Sequence, residues 1–188
     1  MLHTYFRGRV HGLENVPTEG PLVVVSNHAT YYDPPIVSSS VGRPVAHMAK
    51  KELFDIPIFN QAIRLYGAYP VDRGAADRAA IRSAMEYLEN GWAVGLFLDG
   101  TRSADGRIYN PKRGAALIAA KAKAPILPVC LWGVEKIIVK GSPFPRPAPI
   151  TIRIGQLIET PSSTDKQELE EVIQKCATVI NELHDLGR

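Results

Sequence analysis

The sequence predicts an α/β fold, a single domain over residues 1–188 with a mostly parallel or mixed central sheet flanked by helices. Two observations support this class. Apolar runs of strand length alternate with helical patterns along the chain, and several runs are apolar throughout, as in strands covered on both faces. No segment repeats at a fixed period, which argues against a solenoid.

The expected strands are short apolar runs that end in polar segments. They span residues 22–26, 45–49, 69–72, 93–98, 126–131 and 150–154. Because the connections between most of them have helical patterns or helix length, we expect βαβ units.

Three segments show helical spacing. Residues 76–89 place apolar side chains on one face and end at Asn90-Gly91, and residues 115–122 are rich in alanine. A C-terminal stripe from Leu169 to Leu183 predicts an amphipathic helix packed on the core, with a capping box between Thr164 and Gln167. Residues 142–149, with proline at every second position, predict an extended loop.

Charge and cysteine content narrow the function classes. The chain has 22 Lys and Arg against 19 Asp and Glu, a net charge of +3, which suits an anionic ligand or membrane surface but not a protein that coats nucleic acid. Two widely separated cysteines, Cys130 and Cys176, argue against a secreted disulfide framework. Without a membrane-spanning run of ~20 apolar residues or a signal peptide, the chain is expected in the cytoplasm.

The first candidate site follows the strand at 22–26. Asn27-His28 comes directly after it, and Asp33 stands five positions beyond the histidine. On a straight helix these two side chains would lie roughly 140° apart. A turn over residues 29–32, favoured by Pro34, would instead bring Asp33 back onto the imidazole. A histidine oriented by a carboxylate is what a general base acting on a hydroxyl needs.

Structural roles for the same residues stay open. Asp33 before a proline is a good helix N-cap, and a histidine after a strand often only packs. Asp33 could also do both, capping a helix with one oxygen and holding His28 with the other.

The second candidate site follows the strand at 93–98. Gly100 permits a tight turn whose N–H groups face an anion, Thr101 and Ser103 add hydroxyls, and the Arg102 fork matches a phosphate. Asp99-Gly100 is also an ordinary turn dipeptide, so these residues alone leave both interpretations open. Other cations stand at strand exits or a helix entry, which favours one shared anionic ligand: Lys50, Lys51, Arg73, Lys112 and Arg113.

Several reaction classes lack their motifs. There is no G-x-S-x-G elbow, and Cys130 lies in an apolar strand, so no covalent nucleophile is evident. Phosphate-binding and dinucleotide-binding glycine motifs are absent, as are H-x-H and H-E-x-x-H metal-binding pairs. The substrate is therefore expected to bring its own nucleophile, without a metal.

Together these stretches resemble the glycerolipid acyltransferase family, which includes the 1-acyl-glycerol-3-phosphate acyltransferases. Asn27-His28-x4-Asp33 resembles the first motif, residues 67–73 the second, residues 97–103 the third and residues 124–129 the fourth. The likeness covers about residues 10–130, and four motifs in the right order make it specific.

The resemblance implies acyl transfer from acyl-CoA or acyl-carrier protein to the hydroxyl of a lysophospholipid, foremost 1-acyl-glycerol 3-phosphate, without cofactor or covalent acyl-enzyme. It implies that His28 is the base, that Asp33 holds its ring, and that main-chain donors stabilise the oxyanion. It also implies a site for the acceptor's phosphate and glycerol, with Lys50 a further candidate for the phosphate: Arg73, Asp99, Gly100, Thr101 and Arg102.

Two departures from the family pattern bear on the substrate and the membrane. The third motif usually reads Phe-Pro-Glu-Gly-Thr-Arg, whereas Leu98 and Asp99 stand here, which retracts the carboxylate by one methylene. Many members carry an apolar N-terminal helix, but this chain begins about ten residues before the likeness. We expect either a truncated chain or looser, peripheral attachment to the inner face of a membrane. The latter would use two segments that pair apolar side chains with cations: Leu2, Tyr5, Phe6, Arg7 and Arg9, and Phe144 with Arg146.

Two alternative functions remain. Leu98-Asp99-Gly100-Thr101 resembles the D-x-D-G-T loop of haloacid dehalogenase-like phosphatases, although Phe97 stands where their nucleophilic aspartate belongs. The other is a non-catalytic lipid-binding module on the same fold.

Overall fold

Seven strands form one mixed sheet in the computed structural model, which describes residues 5–65, 67–71, 78–138 and 145–188. In chain order they are β1 Arg9–His11, β2 Leu22–Ser26, β3 Val45–Lys50, β4 Tyr69–Val71, β5 Ala93–Phe97, β6 Ile126–Trp132 and β7 Thr151–Ile154. Their order across the sheet is β1-β7-β6-β2-β5-β3-β4. The strands from β6 to β4 are parallel, whereas β7 is antiparallel to β6 and parallel to β1. The predicted α/β class with a mixed central sheet is confirmed.

Helices cover both faces of this sheet. In the described ranges the α-helices are α1 Asp33–Val41, α2 Pro57–Leu65, α3 Arg78–Glu89, α4 Gly114–Ala122 and α5 Lys166–Asp185. In this part of the chain, no helix combines the length and the apolar character needed to cross a bilayer.

The central strand β2 shows how the two cores form. All five of its residues are buried. Val23 and Val25 pack into the core that contains α3, α4 and α5, while Leu22 and Val24 pack into the core that contains α1. Alternate side chains of a strand point to opposite faces, so a continuously apolar strand is what this position requires.

The crossovers open a crevice at the carboxyl ends of β2 and β5. After β2 the chain crosses through α1 to β3, which lies on the far side of β5. After β5 it crosses through α4 in the opposite direction to β6, which lies on the far side of β2. The two helices belong to opposite cores. Neighbouring strands that leave the sheet in opposite directions create the usual ligand crevice of open α/β sheets.

Differences from the sequence prediction lie mainly in short elements. Strand β1 and helix α2 were not predicted, and a helix at α1 was anticipated only in the interpretation of Asp33 as a helix cap. Serine at positions 38–40 gives α1 weak helix propensity, whereas its prolines are tolerated in a first turn. The predicted strand and helix limits agree to about one residue where the structure describes them; Asp72 and residues 76–77 lie outside the described residues.

The predicted capping box at the start of α5 is wrong. Asp165 is the N-cap, and its carboxylate accepts the N–H groups of Gln167 and Glu168 at 2.8 and 3.3 Å. A carboxylate one position later than Thr164 reaches these donors directly. The packing of the α5 stripe on the core is confirmed.

The predicted membrane contact needs one correction at the N-terminus. Phe6 is only 2% exposed because it packs into the core beside α1, so it is not available to a membrane, whereas Tyr5 is 40% exposed. Leu2 and Phe144 lie outside the described residues. Residues 145–149 contain no helix or strand, which agrees with the predicted loop, and residues 142–144 of that loop lie outside the described residues.

Candidate active site

The turn between β2 and α1 brings His28 and Asp33 together. The imidazole Nδ1 lies 2.8 Å from Asp33 Oδ2. The carboxylate is fully buried and also accepts the N–H groups of Ala29 and Thr30 at 2.6 and 2.8 Å and the Thr30 hydroxyl at 2.8 Å. The predicted turn over residues 29–32 is therefore confirmed.

The interpretation of Asp33 as a helix cap is wrong. Asp33 is the first residue of α1, Tyr32 occupies the N-cap position, and no side chain caps the helix. Pro34 and Pro35 have no N–H group to satisfy, which reduces the need for a cap. The Asp33 oxygens instead bind the preceding turn.

This contact sets the tautomer of His28. Because an ionised carboxylate only accepts hydrogen bonds, a neutral imidazole paired with it carries its proton on Nδ1 and keeps the lone pair of Nε2 free. The side chain of His28 is 13% exposed. The neutral imidazole can therefore accept a proton from a bound hydroxyl.

Asn27 anchors the backbone next to the histidine. Its side chain is 1% exposed and bridges two segments: the amide donates to the carbonyls of Gly106 and Leu131 at 2.6 and 2.8 Å, and its oxygen accepts the Leu131 N–H at 2.8 Å. Asn27 thus ties the end of β2 to β6 and to the loop after β5.

Aromatic side chains pack against the imidazole. The Phe97 ring stacks on the His28 ring with 4.0 Å between their centroids. The His47 ring also stacks on Phe97, with 5.8 Å between the centroids of those two rings. His47 is 3% exposed, and its Nδ1 has no hydrogen-bond partner among the described residues. Burial, assisted by nearby His28, lowers the pKa of His47 to about 3. Neither the ring contacts of Phe97 nor those of His47 were predicted from the sequence, although Phe97 stands near the end of a predicted strand.

A depression of about 670 Å³ lies on the β5–α4 connection, and His28 is not among its lining residues. Arg102 and Lys112 provide its cations, and Ser103 in its wall donates an N–H to the His28 carbonyl at 2.8 Å. The Arg102 guanidinium lies over the Tyr31 ring, 4.0 Å from its centroid. The lining residues all come from the β5–α4 connection: Asp99, Thr101, Arg102, Ser103, Ala104, Asp105, Tyr109, Asn110 and Lys112. Of these, Ala104, Asp105, Tyr109 and Asn110 were not predicted.

Asp99 holds this connection in shape. Its two oxygens accept the N–H groups of Tyr109 and Asn110 at 3.1 and 2.9 Å. Gly100 forms the turn with a φ of 66°, a conformation that favours glycine, and its N–H donates to the Phe97 carbonyl.

The predicted binding residues do not all lie together. Thr101 and Arg102 line the depression with Asp99. Lys50 does not line it: it ends β3, and its ammonium pairs with the Glu52 carboxylate at 2.7 Å. Arg73 lies outside the described residues.

The cysteines are poorly suited to nucleophilic chemistry. Cys130 and Cys176 are both fully buried, and burial raises the pKa of each thiol to about 12. Among the residues that the structure describes, no three His, Cys, Asp or Glu side chains gather as they would around a metal ion.

Comparison with known proteins identifies the family. A family model described as acyltransferase matches residues 7–132. The chain is 34% identical over 144 residues to a chloroplast 1-acyl-sn-glycerol-3-phosphate acyltransferase of Brassica napus, covering 75% of this chain and 42% of that protein. It is 32% identical over 128 residues to the Bacillus subtilis 1-acyl-sn-glycerol-3-phosphate acyltransferase, covering 66% of this chain and 62% of that protein.

A solved structure agrees with the sequence matches. The 1-acyl-sn-glycerophosphate acyltransferase of Thermotoga maritima superposes with a TM-score of 0.76 at 32% identity, covering 94% of this chain and 71% of that one. The chain belongs to the acyltransferase family, and the resemblance seen in its four motifs is confirmed. It spans 42% and 40% of the length of the Brassica napus and Arabidopsis thaliana relatives.

Proposed function

We propose that this chain transfers an acyl group from acyl-CoA or acyl-carrier protein to the hydroxyl of 1-acyl-glycerol 3-phosphate, giving phosphatidic acid. The observation that carries the proposal is the 2.8 Å contact between His28 Nδ1 and buried Asp33. The loop that contains the cation-lined depression is tied to this pair by the hydrogen bond from the Ser103 N–H to the His28 carbonyl. The names of the relatives supply the acceptor.

The chemistry needs no covalent acyl-enzyme. Nε2 of His28 takes the proton of the acceptor hydroxyl, and Asp33 stabilises the imidazolium that forms. The hydroxyl oxygen attacks the thioester carbonyl, an oxygen–carbon bond forms, and the carbon–sulfur bond breaks. The thiolate then receives the proton from His28, which restores the neutral imidazole.

The phosphate of the acceptor would lie in the depression. Arg102 offers a planar fork that binds two phosphate oxygens, and Lys112 adds a second charge. Ser103 connects this surface to the His28 backbone. Asp99 would act by holding the loop, because backbone N–H groups already occupy both of its oxygens.

We also propose that the protein meets its lipid peripherally at the edge of the sheet where β2 ends. The register of β1 with β7 and of β7 with β6 places residues 5–8 and 145–150 at that same edge. The Tyr5 hydroxyl donates to the Pro145 carbonyl at 2.8 Å. Exposed Arg7 and Arg146, together with Lys136 over the Trp132 ring, give this edge the cations and aromatic rings of an interfacial surface.

An acceptor-dependent assay tests the activity. Purified protein is mixed with palmitoyl-CoA, with or without 1-acyl-glycerol 3-phosphate, and free thiol, inorganic phosphate and phosphatidic acid are measured. We expect thiol release only when the acceptor is present, with one phosphatidic acid formed per thiol. A parallel reaction with acyl-carrier protein identifies the donor.

Other results would reject the proposal. Release of inorganic phosphate would indicate a phosphatase. Thiol release that ignores the acceptor would indicate a thioesterase, and acceptor binding without turnover of either donor would indicate a lipid-binding module.

A further inference from the structure

The connection between β5 and α4 is long and irregular, yet it builds the site. Residues 98–113 contain no helix or strand, and loops of this length are uncommon in compact domains unless they have a function. The turn after β2 holds the connection from one side, through the Ser103 N–H to His28 and the Asn27 amide to Gly106.

The opposite side of this loop is held by the last turns of α5. The side-chain amide of Asn181 pairs with the backbone of Ile108 as a neighbouring strand would: its oxygen accepts the Ile108 N–H at 3.0 Å, and its nitrogen donates to the Ile108 carbonyl at 2.9 Å. Ile108 itself is 5% exposed and packs in the core that contains α5.

Two further contacts lie on either side of this pair. Arg107 forms an ion pair with Asp185, whose side chain is 55% exposed. Gly106 has a φ of 75° and sits so close to α5 that a β-carbon there would lie 3.0 Å from His184 Nε2 and 3.5 Å from Asn27 Nδ2. The loop therefore passes between the end of α5 and the residue next to the catalytic histidine.

We infer that Asn181 is a positioning residue for acyl transfer, and that α5 holds the loop against the His28 turn. The inference rests on the proposed function. It reaches beyond the segment that the family model matches, because that segment ends at residue 132 and α5 begins at Lys166.

The effect on the reaction follows from what the loop touches. Residues 103–105 and 109–110 line the depression proposed for the acceptor. The Gly106 carbonyl accepts a hydrogen bond from the side-chain amide of Asn27. Loss of the Asn181 amide leaves two backbone groups of Ile108 unpaired, which loosens this segment. A looser segment should weaken acceptor binding and the alignment of His28, while donor binding changes little.

The test compares Asn181→Ala with Gln174→Ala, which removes an exposed amide from the same helix. Steady-state rates are measured on palmitoyl-CoA and 1-acyl-glycerol 3-phosphate at a temperature where circular dichroism shows both variants folded. For Asn181→Ala we expect kcat/KM for the acceptor to fall about tenfold, with the donor KM within about twofold of wild type. Gln174→Ala should behave as wild type.

A second measurement does not depend on activity. Hydrogen exchange followed by mass spectrometry should show faster exchange at residues 103–110 in Asn181→Ala, with unchanged exchange at residues 22–26. Should Asn181→Ala fail to fold, Asn181→Asp keeps an acceptor for the Ile108 N–H but sets a carboxylate oxygen against the Ile108 carbonyl, so kcat/KM for 1-acyl-glycerol 3-phosphate should again fall.

Three results would overturn the inference: wild-type kcat/KM in folded Asn181→Ala, unchanged exchange at residues 103–110, or an equal loss in Gln174→Ala. If the wild-type protein transfers no acyl group but exchange at the loop still responds to Asn181→Ala, the proposed function fails while the contact between α5 and the loop is upheld.

Discussion

The Phe97 ring lies nearly parallel to the imidazole of His28, with 4.0 Å between the ring centroids and 17° between their planes. Phe97 is the last residue of β5, so the stack joins the histidine to the neighbouring strand of the sheet. Asp33 fixes the imidazole through Nδ1, and Phe97 restricts its rotation from one face. Held in this way, the proposed base needs little reorganisation before it accepts a proton.

Replacing the ring should therefore reduce turnover more than binding. We expect Phe97→Leu to lower kcat about threefold to tenfold with little change in the acceptor KM, since an aromatic pair contributes ~0.5–1.5 kcal/mol. Phe97→Tyr keeps the ring and serves as the control. Wild-type kcat in folded Phe97→Leu would show that the stack does not orient the base.

The neutral, buried His47 should make stability depend on pH. Burial holds its pKa at about 3 in the folded protein, against 6.5 as the ordinary value. Below pH 6.5, His47 binds a proton in the unfolded chain but stays neutral in the folded protein. The free energy of unfolding therefore falls as the pH falls from 6.5 towards 3. The slope from this one group is at most ~1.4 kcal/mol per pH unit.

Urea unfolding of wild type and His47→Gln between pH 4 and pH 7 measures this contribution. Carboxylates that titrate in the same range act on both proteins, so the difference between the two curves isolates His47. We expect the variant to lose less stability per pH unit below 6.5. Parallel curves would mean that His47 is protonated in the folded protein as readily as in the unfolded chain.

Arg102 should act on the acceptor alone. Arg102→Ala is expected to raise the acceptor KM at least about tenfold and to leave the donor KM nearly unchanged, because a charge-assisted fork to one substrate is lost. Arg82→Ala removes an exposed arginine of α3 and is the matched control. Equal effects on both substrates would contradict a phosphate role.

Tyr31 should support this arginine through its ring. The Arg102 guanidinium lies 4.0 Å from the Tyr31 ring centroid, and such a contact at an exposed site contributes ~0.5–1 kcal/mol. Tyr31→Leu should raise the acceptor KM about twofold to fivefold, whereas Tyr31→Phe should not. Identical KM values in both variants would show that the ring does not hold Arg102.

Membrane binding should depend on salt. Each basic residue near an anionic leaflet contributes ~1 kcal/mol, so the protein should sediment with phosphatidylserine-containing vesicles at low salt and be released at high salt. Replacing Arg7, Arg9 and Arg146 together should weaken sedimentation without changing turnover on a short-chain, water-soluble acceptor. Salt-insensitive binding, or none, would contradict an electrostatic contact.

The buried strands and the turn between β2 and α1 can be predicted from the sequence alone because both depend on local signals. A continuously apolar run predicts β2, and the proline after Asp33 favours the turn that closes onto His28. The extent of α1 was not predicted because its prolines and serines resemble a loop. The partners of His28 and Asn27 in the loop after β5 could not be predicted, since these contacts join segments 70 or more residues apart.

Large separation in sequence also explains why contacts outside the four motifs could not be predicted. Asn181 meets Ile108 across 73 positions of sequence, and no pattern around either residue signals the pairing. Lys50 differs from the residues of the depression: it ends a strand at the same edge of the sheet, but its ammonium pairs with Glu52 and it does not line the depression, so its phosphate role stays a prediction.

His28 is the proposed base that activates the acceptor, and the rate of acyl transfer by His28→Ala measures this role. The exposed His11 of β1 provides the matched control, His11→Ala. With both variants folded, we predict that kcat for phosphatidic acid formation falls ~10²–10⁴-fold in His28→Ala and stays at the wild-type level in His11→Ala. A wild-type rate in folded His28→Ala would contradict the account.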